Sequence, residues 1–378
     1  MICVDKKEMC CGCSACVNCC PKKCITMKED REGFLYPEVN RQECTNCGLC
    51  EKVCPVLNKT ELSGDTRAYA VFACEDGIRE KSSSGGVFSL LAEQVLCEGG
   101  YVFGCAFDAK LKAEHIGITD YSELKRLQGS KYVQSDLKSS FHTVKQLLEE
   151  GKQVLFSGTA CQMEGLKKFL GKHYESLLLV DVVCHGVPSP KVWEQYKEYQ
   201  ERIYDAKISG LSFRDKSKGW KDYRVMLNFE NGQTYVSRSW DDIYMKSFIK
   251  NLISRPSCYD CKFRQWHRES DITLGDFWGA EQVLPQWNDD KGISLVLIHS
   301  EKGQRMLQSI SEKLRIKEVE KEAAVEKNRS VIAPIVVPKE REKFFAVLNE
   351  KGYDAAVQKY VKDGFLYKAK NALKRLLR

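Results

Sequence analysis

Residues 44–55 read CTNCGLCEKVCP. The spacing is C-x2-C-x2-C-x3-C followed by proline, on Cys44, Cys47, Cys50 and Cys54. The same template ends at Pro21, on Cys10, Cys13, Cys16 and Cys20 within CCGCSACVNCCP (10–21). Three evenly spaced thiols wrap a tight loop around one cubane, and the cysteine before proline is carried away to the neighbouring one. The doubled template therefore predicts two 4Fe–4S clusters with crossed ligands. One takes Cys10, Cys13, Cys16 and Cys54. The other takes Cys44, Cys47, Cys50 and Cys20. Structural zinc also uses C-x2-C pairs, but it gains nothing from a third evenly spaced cysteine and a C-P step. Cys11, Cys19 and Cys24 fall outside the template and read as small buried or half-buried side chains. Between the two halves, ITMKEDREGFLYPEVN (25–40) reads as two short strands around a turn at Gly33.

Composition supports this reading. The chain has 378 residues and 19 cysteines, too long for a small disulfide-stapled scaffold. Its start, MICVDKKEMCCGC, has charge and cysteine where a signal peptide has an apolar segment. Dense cysteine in a reducing, cytoplasmic setting points to metal or redox chemistry. No run of eighteen apolar residues predicts a spanning helix. The formal net charge of +7 does not predict nucleic-acid binding, because no long basic run is interleaved with aromatics. Clusters held by four thiolates would offset part of that charge.

Beyond a polar linker (57–67) the pattern alternates strand and helix. AYAVFAC (68–74), YVFGCAF (101–107), QVLFSG (153–158) and LLLVDVV (177–183) read as strands. Helices follow SSSGG (82–86), start near Cys161, and start at Pro190 after the Ser189 cap. From 208 onwards ISGLSF, YRVMLNF and TYVS read as strands with a hairpin turn at Asn231-Gly232. DITLGDFW and ISLVLIHS add two more, and the final seventy residues read as helical and polar. The expected fold is α/β (α+β): a ferredoxin-like two-cluster module (1–60), then a mixed-sheet body in two parts (66–150 and 151–325). A helical extension (326–378) follows.

Three groups of body residues carry candidate chemistry. Ser83, Ser84, Gly85 and Gly86 precede a helix, where exposed N–H groups and small side chains suit a phosphate or diphosphate. A serine cap on a flexible loop is the plainer reading. Gly129, Ser130, Lys131 and Tyr132 offer a lysine in a polar turn, placed for an anionic cofactor or for solvent. Neither loop is a G-x-G-x-x-G, so a standard dinucleotide fold is not indicated. Cys161 and Cys184 sit at strand ends, and Cys258 and Cys261 form a C-x2-C pair. Together they offer four thiolates, enough for a third 4Fe–4S cluster or a zinc, while separate core cysteines are the alternative. His185, beside Cys184, reads as structural. Arg214, Asp215, Lys218, Asp276 and Trp278 suit either a pocket wall or a surface turn with salt bridges. The tail carries Lys368, Lys370, Lys374, Arg375 and Arg378, an amphipathic helix for a partner or membrane surface, or a solvated one.

The order of the segments SSGGVFSLLAE, GSKYVQS, GTACQMEGLKKFL, VCHGVPSP, SFRDKSKGW and DITLGDFWG after a two-cluster ferredoxin resembles the beta subunits of coenzyme F-420 hydrogenase and dehydrogenase. The likeness runs over roughly residues 8 to 320. Relatives include archaeal deazaflavin-reducing subunits and plant chlorophyll-pathway reductases. The resemblance implies FAD and iron–sulfur clusters exchanging electrons, with the SSGG and GSKY loops facing the flavin or its substrate. Ala160 stands where many relatives have proline, with Cys161 retained. Members occur in organisms without the deazaflavin, so the family does not fix the acceptor. The expected function is an iron–sulfur flavoprotein oxidoreductase acting on a two-electron small-molecule substrate, with a redox partner protein or small electron carrier. The alternatives are a non-catalytic electron-transfer subunit docked to a partner enzyme and, more distantly, a zinc-binding structural protein.

Overall fold

The computed structural model describes residues 1–362. The basic tail residues Lys368 to Arg378 lie outside them. The N-terminal module contains a hairpin of β1 (Ile25–Glu29) and β2 (Leu35–Val39), turning at Gly33, between two cysteine loops. The body follows with β3 (Arg67–Ala73), β4 (Tyr101–Phe107), β5 (Ala113–Ile118), β6 (Val154–Thr159) and β7 (Leu177–Val182). An antiparallel meander of β8 (Ile208–Asp215), β9 (Arg224–Phe229) and β10 (Thr234–Arg238) stands apart. The chain then returns to the main sheet with β11 (Ile272–Asp276), β12 (Ser294–Ile298) and β13 (Leu314–Val319). The eight-stranded sheet runs β13-β3-β12-β11-β7-β6-β4-β5. The neighbours β11, β7, β6 and β4 pair in parallel, and every other pairing is antiparallel.

The central strands are apolar on both faces, as parallel strands covered on both sides must be. Val102, Leu155, Leu178 and Val180 pack under the helix Val87–Cys97. Their neighbours Phe103, Phe156, Leu177 and Leu179 pack under the helices Ser140–Glu149 and Ala160–Leu170. Cys13, Ala15 and Val53 join this second core, so the N-terminal module is packed into the body. A third core gathers Phe34 of the hairpin, Trp193, Phe213, Tyr244 and Phe344. It ties module, meander and the helical segment Arg341–Tyr360, broken at Gly352, together.

The mixed α/β expectation matches this architecture, with one local correction. The final seventy residues are not all helical, since β13 forms the sheet edge. Its exposed or half-exposed Arg315, Lys317 and Glu318 keep the edge from pairing further, which made it read as polar helix. No helix among the described residues is long and apolar enough to cross a membrane.

A buried polar chain crosses the sheet. Arg268 donates to Asp181 at 2.8 Å, Asp181 accepts from Thr273, and Thr273 meets His299 at 2.8 Å. Asp181 has no exposed surface and Arg268 is 4% exposed. Removing one partner of such a pair strands the other charge, so Asp181→Ala is expected to cost about 3–5 kcal/mol in urea unfolding. Replacing both Asp181 and Arg268 with Leu should recover most of that loss. Burial also pushes His299 well below the usual imidazole range and His115 down to about 4. Between pH 6.5 and 4 the unfolded His115 takes a proton that the folded one refuses, so stability is full above 6.5 and falls as the pH drops. For His115 alone the loss approaches about 3 kcal/mol. A His115→Gln variant should flatten the stability–pH slope in that window; an unchanged slope would show that its burial carries no such cost.

Candidate functional site

All nineteen cysteines are free. Cys20, Cys44, Cys47 and Cys50 line one small cavity, with Cys24, Pro21, Ile25 and Val39 around them. Cys20 has therefore left its own loop for the other. Cys10 and Cys54 are the thiols that act most strongly on Cys16, and Cys10 and Cys16 both act on Cys13. Burial raises the Cys16 and Cys54 thiols above the ordinary range. Among the described residues no three His, Cys, Asp or Glu side chains are grouped to hold a single metal ion. The donor chemistry fits a larger centre, because each set offers four thiols.

The body thiols are brought together from three segments. Cys161 opens the helix Ala160–Leu170, whose N-terminus is closed by a Thr159–Gln162 capping box. Cys184 follows β7. Cys258 lies in the short 3-10 turn Pro256–Asp260, and Cys261 follows it. The thiols acting on Cys258 are Cys184, Cys261 and Cys161. Burial pushes Cys184 up to about 11. The Cys11 side chain acts on the thiols of both Cys13 and Cys161, so it lies between the first ferredoxin loop and the body set. Sequence reasoning left Cys11 as a passive side chain. Its contact with Cys161 spans 150 residues and has no local signal. The approach also depends on Gly165, where a Cβ would stand 2.9 Å from Cys13 Sγ.

A cavity of about 850 Å³ opens beyond the body thiols, at the C-terminal ends of β6, β7 and β11. Ser83, Ser84, Gly86, Gly129, Ser130, Lys131 and Tyr132 all line it, and so do Cys184 and His185. The two loops meet directly, Ser83 Oγ to Ser130 Oγ at 2.9 Å. Gly85 is turned away, because a Cβ there would meet Val71 O at 2.4 Å; it is small so that the loop can lie on the sheet. Gly86 lines the cavity, but its own Cβ direction is filled by Ile78 at 2.9 Å, and its φ of +91° demands glycine. The helix Val87–Cys97 starts here with first-turn N–H groups that have no intrahelical acceptor.

Arg214 organises the cavity wall. It pairs with Asp276 at 2.6 and 3.1 Å and donates to Ser83 O at 3.1 Å and Tyr132 Oη at 3.3 Å. Its guanidinium carbon lies 3.9 Å from the Tyr223 ring centre, and Trp220 stacks on Trp278 at 4.6 Å. Trp220 Nε1 donates to Asp276 at 2.9 Å. Asp276 and Trp278 line the cavity with Arg214, whereas Asp215 and Lys218 do not. Asp215 caps its own turn through Ser217, and Lys218 is exposed. Lys216 was missed. Its ammonium donates to Arg79 O, Ser84 O and Lys291 O, pinning the serine loop from behind. The i, i+2 spacing from Arg214 was the available signal. Lys131 donates to Gln128 O at 2.6 Å, and burial lowers its ammonium to about 8. His185 hydrogen-bonds Asn251 at 2.7 Å, as a structural histidine does.

Comparison with known proteins follows this division. Residues 151–324 match the family described as coenzyme F420 hydrogenase/dehydrogenase, C terminus of the beta subunit. Residues 9–58 match the 4Fe-4S dicluster domain. The F subunit of the F(420)H(2) dehydrogenase of Methanosarcina mazei is 20% identical over 186 residues, 47% of this chain and 53% of that protein. The chain thus spans about half the length of that relative. The VorC subunit of the ketoisovalerate oxidoreductase of Methanothermobacter marburgensis is 33% identical over 76 residues, 20% of this chain and 87% of that protein. Among solved structures, the F420-reducing [NiFe] hydrogenase complex from Methanosarcina barkeri matches with 15% identity and a TM-score of 0.46. That match covers 78% of this chain and 90% of the other. Residues 151–324 thus belong with the C-terminal part of coenzyme F420 hydrogenase/dehydrogenase beta subunits, and residues 9–58 form a 4Fe–4S dicluster domain.

Proposed function

We propose that this protein is an iron–sulfur flavoprotein oxidoreductase of the cytoplasm. It exchanges electrons between a redox partner protein or small carrier and an unidentified two-electron small-molecule substrate. The observation that carries the reading is the cavity of about 850 Å³ that joins both candidate loops to Cys184. Its volume lies within the range of cofactor sites. Cys10, Cys13, Cys16 and Cys54 would hold one cluster, and Cys20, Cys44, Cys47 and Cys50 the other. Cys161, Cys184, Cys258 and Cys261 would hold a third cluster between the module and the cavity. A flavin, when bound, supplies exchange of one or two electrons.

The chain's own residues divide the remaining work. The N-terminus of the helix Val87–Cys97 offers N–H donors to a phosphate. Arg214 and Lys216 hold the serine loop in place. Lys131, still cationic at neutral pH, offers charge to an anionic ligand. Trp220, Trp278 and Tyr223 back the Arg214–Asp276 pair with aromatic surface that sheds water. A second reading, a non-catalytic electron-transfer subunit docked to a partner enzyme, draws on the relatives, two of which are named as subunits.

Protein prepared without oxygen is expected to hold about eight iron in the N-terminal module, and about twelve with a body cluster. Flavin should be released in stoichiometric amount on denaturation. Ser130→Phe, which fills the cavity between the loops, should lower flavin occupancy at least tenfold and leave iron unchanged. Full flavin in that variant defeats the cavity assignment. Cys20→Ser should damage the cluster held by Cys44, Cys47 and Cys50, read by electron paramagnetic resonance; loss of the Cys10 cluster alone overturns the crossed ligation. Cys258→Ser should remove one reducible signal, whereas loss of bound zinc with no spectral change assigns that site to zinc. Flavin bound but never reduced by any small substrate without a partner protein favours the second reading.

A further inference from the structure

Arg255 has no exposed surface. Its fork is fully engaged. Nε donates to Cys10 O at 2.8 Å, Nη1 to Gln134 Oε1 at 3.0 Å, and Nη2 to Leu35 O at 2.9 Å and towards Cys10 Sγ at 3.6 Å. The Tyr36 ring lies 4.3 Å from the guanidinium carbon and the Phe34 ring 5.5 Å. None of these partners is a carboxylate. The carboxylates of the adjoining hairpin turn are committed elsewhere, Asp30 to Lys7 and Glu32 to Arg341. A buried cation without a counter-charge is strongly unfavourable. The groups that act on this one, apart from Tyr36, are thiols: Cys10 and Cys11 on the ferredoxin side and Cys258 on the body side. Cys161 also feels its charge. The backbone is shaped to admit it, since a Cβ on Gly12 would stand 2.6 Å from Gln134 Nε2 and 2.9 Å from Arg255 Nη1.

We infer that Arg255 is the counter-ion shared by two cluster sites, the Cys10 set and the Cys258 set, and that its charge raises the reduction potential of both. The inference rests on the reading that both thiol sets hold clusters. One-electron reduction adds a negative charge to a centre that four thiolates already make negative. A fixed cation at the seam favours the reduced form, and burial keeps salt from screening it. Because one guanidinium serves both sides, it favours each site when the electron is there and does not trap the electron on either. Arg255 is thus a positioning and charge-setting residue rather than a catalytic one.

The test uses the full chain, prepared without oxygen and titrated with dithionite and redox mediators, with electron paramagnetic resonance as readout. Gln134→Glu keeps the guanidinium and its hydrogen bond but supplies the missing carboxylate. Both cluster potentials should then fall by at least a tenfold change in the reduction equilibrium, about 59 mV for one electron. Iron content should stay at the wild-type level. Arg255→Gln should give the same fall, and Arg255→Lys a smaller one, because charge without the fork sits less well. Loss of iron from Arg255→Gln, read as failed folding, leaves the decision to Gln134→Glu. Unmoved potentials in Gln134→Glu with iron intact overturn the proposal, and so does a fall confined to one cluster. Wild-type protein without a reducible centre at Cys258 defeats the cluster reading beneath it, which is a separate outcome.

Discussion

A guanidinium sealed from water joins the N-terminal module to the body. Arg255 comes from the segment between the meander and the last sheet strands, yet it binds the backbone of both Cys10 in the first cysteine loop and Leu35 in the hairpin. The module has little apolar surface of its own to bury, with a core of Ile2, Cys24, Ile25 and Cys50. Polar docking therefore replaces part of the hydrophobic term. Arg341 repeats the device, pairing with Glu32 while also donating to Ser254 O. Glycines make the approach possible. At Gly33 a Cβ would lie 2.3 Å from Lys191 Cβ, so the hairpin turn rests directly on the helix Pro190–Tyr204.

This docking decides where the body thiols can be. Cys161 opens a helix whose Gly165 lies against Cys13, so the helix that closes the second core also sets the spacing between the two thiol sets. Cys184 continues the central parallel strand β7 beyond its C-terminal end. The cavity lies at the same end of the sheet, where α/β folds place their ligands because strand ends diverge and loops converge. A line from Cys10 through Cys11, Cys161 and Cys184 to the cavity wall therefore follows from three constraints. They are a parallel sheet, a docked module and a helix made thin by glycine.

The parts legible in the sequence were those governed by local rules. The cysteine template told which thiols share a loop, and short continuous apolar runs located β3, β4, β6 and β7 to within a residue or two. Ser189-Pro190 marked a helix start because capping is a local act. What escaped was set by distant neighbours. β13 pairs only with β3 and shows solvent a charged face, so its pattern resembled a polar helix. Gly85 and Gly86 read as a phosphate cradle, and the contacts that hold them to glycine, with Val71 and Ile78 and through a positive φ, are not visible in the local sequence. Lys216 and Cys11 were passed over because their partners lie up to 150 residues away. Arg255 carried no motif at all, only the unexplained cost of burying a charge.

The two kinds of thiol set differ in what folding must do before they exist. The eight ferredoxin cysteines lie within 45 residues, from Cys10 to Cys54, and their geometry is closed by one hairpin. Cys161, Cys184, Cys258 and Cys261 are spread over 101 residues and meet only when β6, β7 and the 3-10 turn Pro256–Asp260 are in place. The neighbouring Cys11 side chain, with burial, raises the Cys161 thiol, and burial raises the other three. In the folded body without a centre all four therefore hold their protons. Any thiolate-bound centre there must displace those protons inside a formed core, while its binding free energy adds to the stability of the fold that assembles it. The ferredoxin sets need only a local loop. Physical separation along the chain therefore makes the two kinds of set depend on different things, the ferredoxin sets on their own loops and hairpin and the body set on a finished sheet.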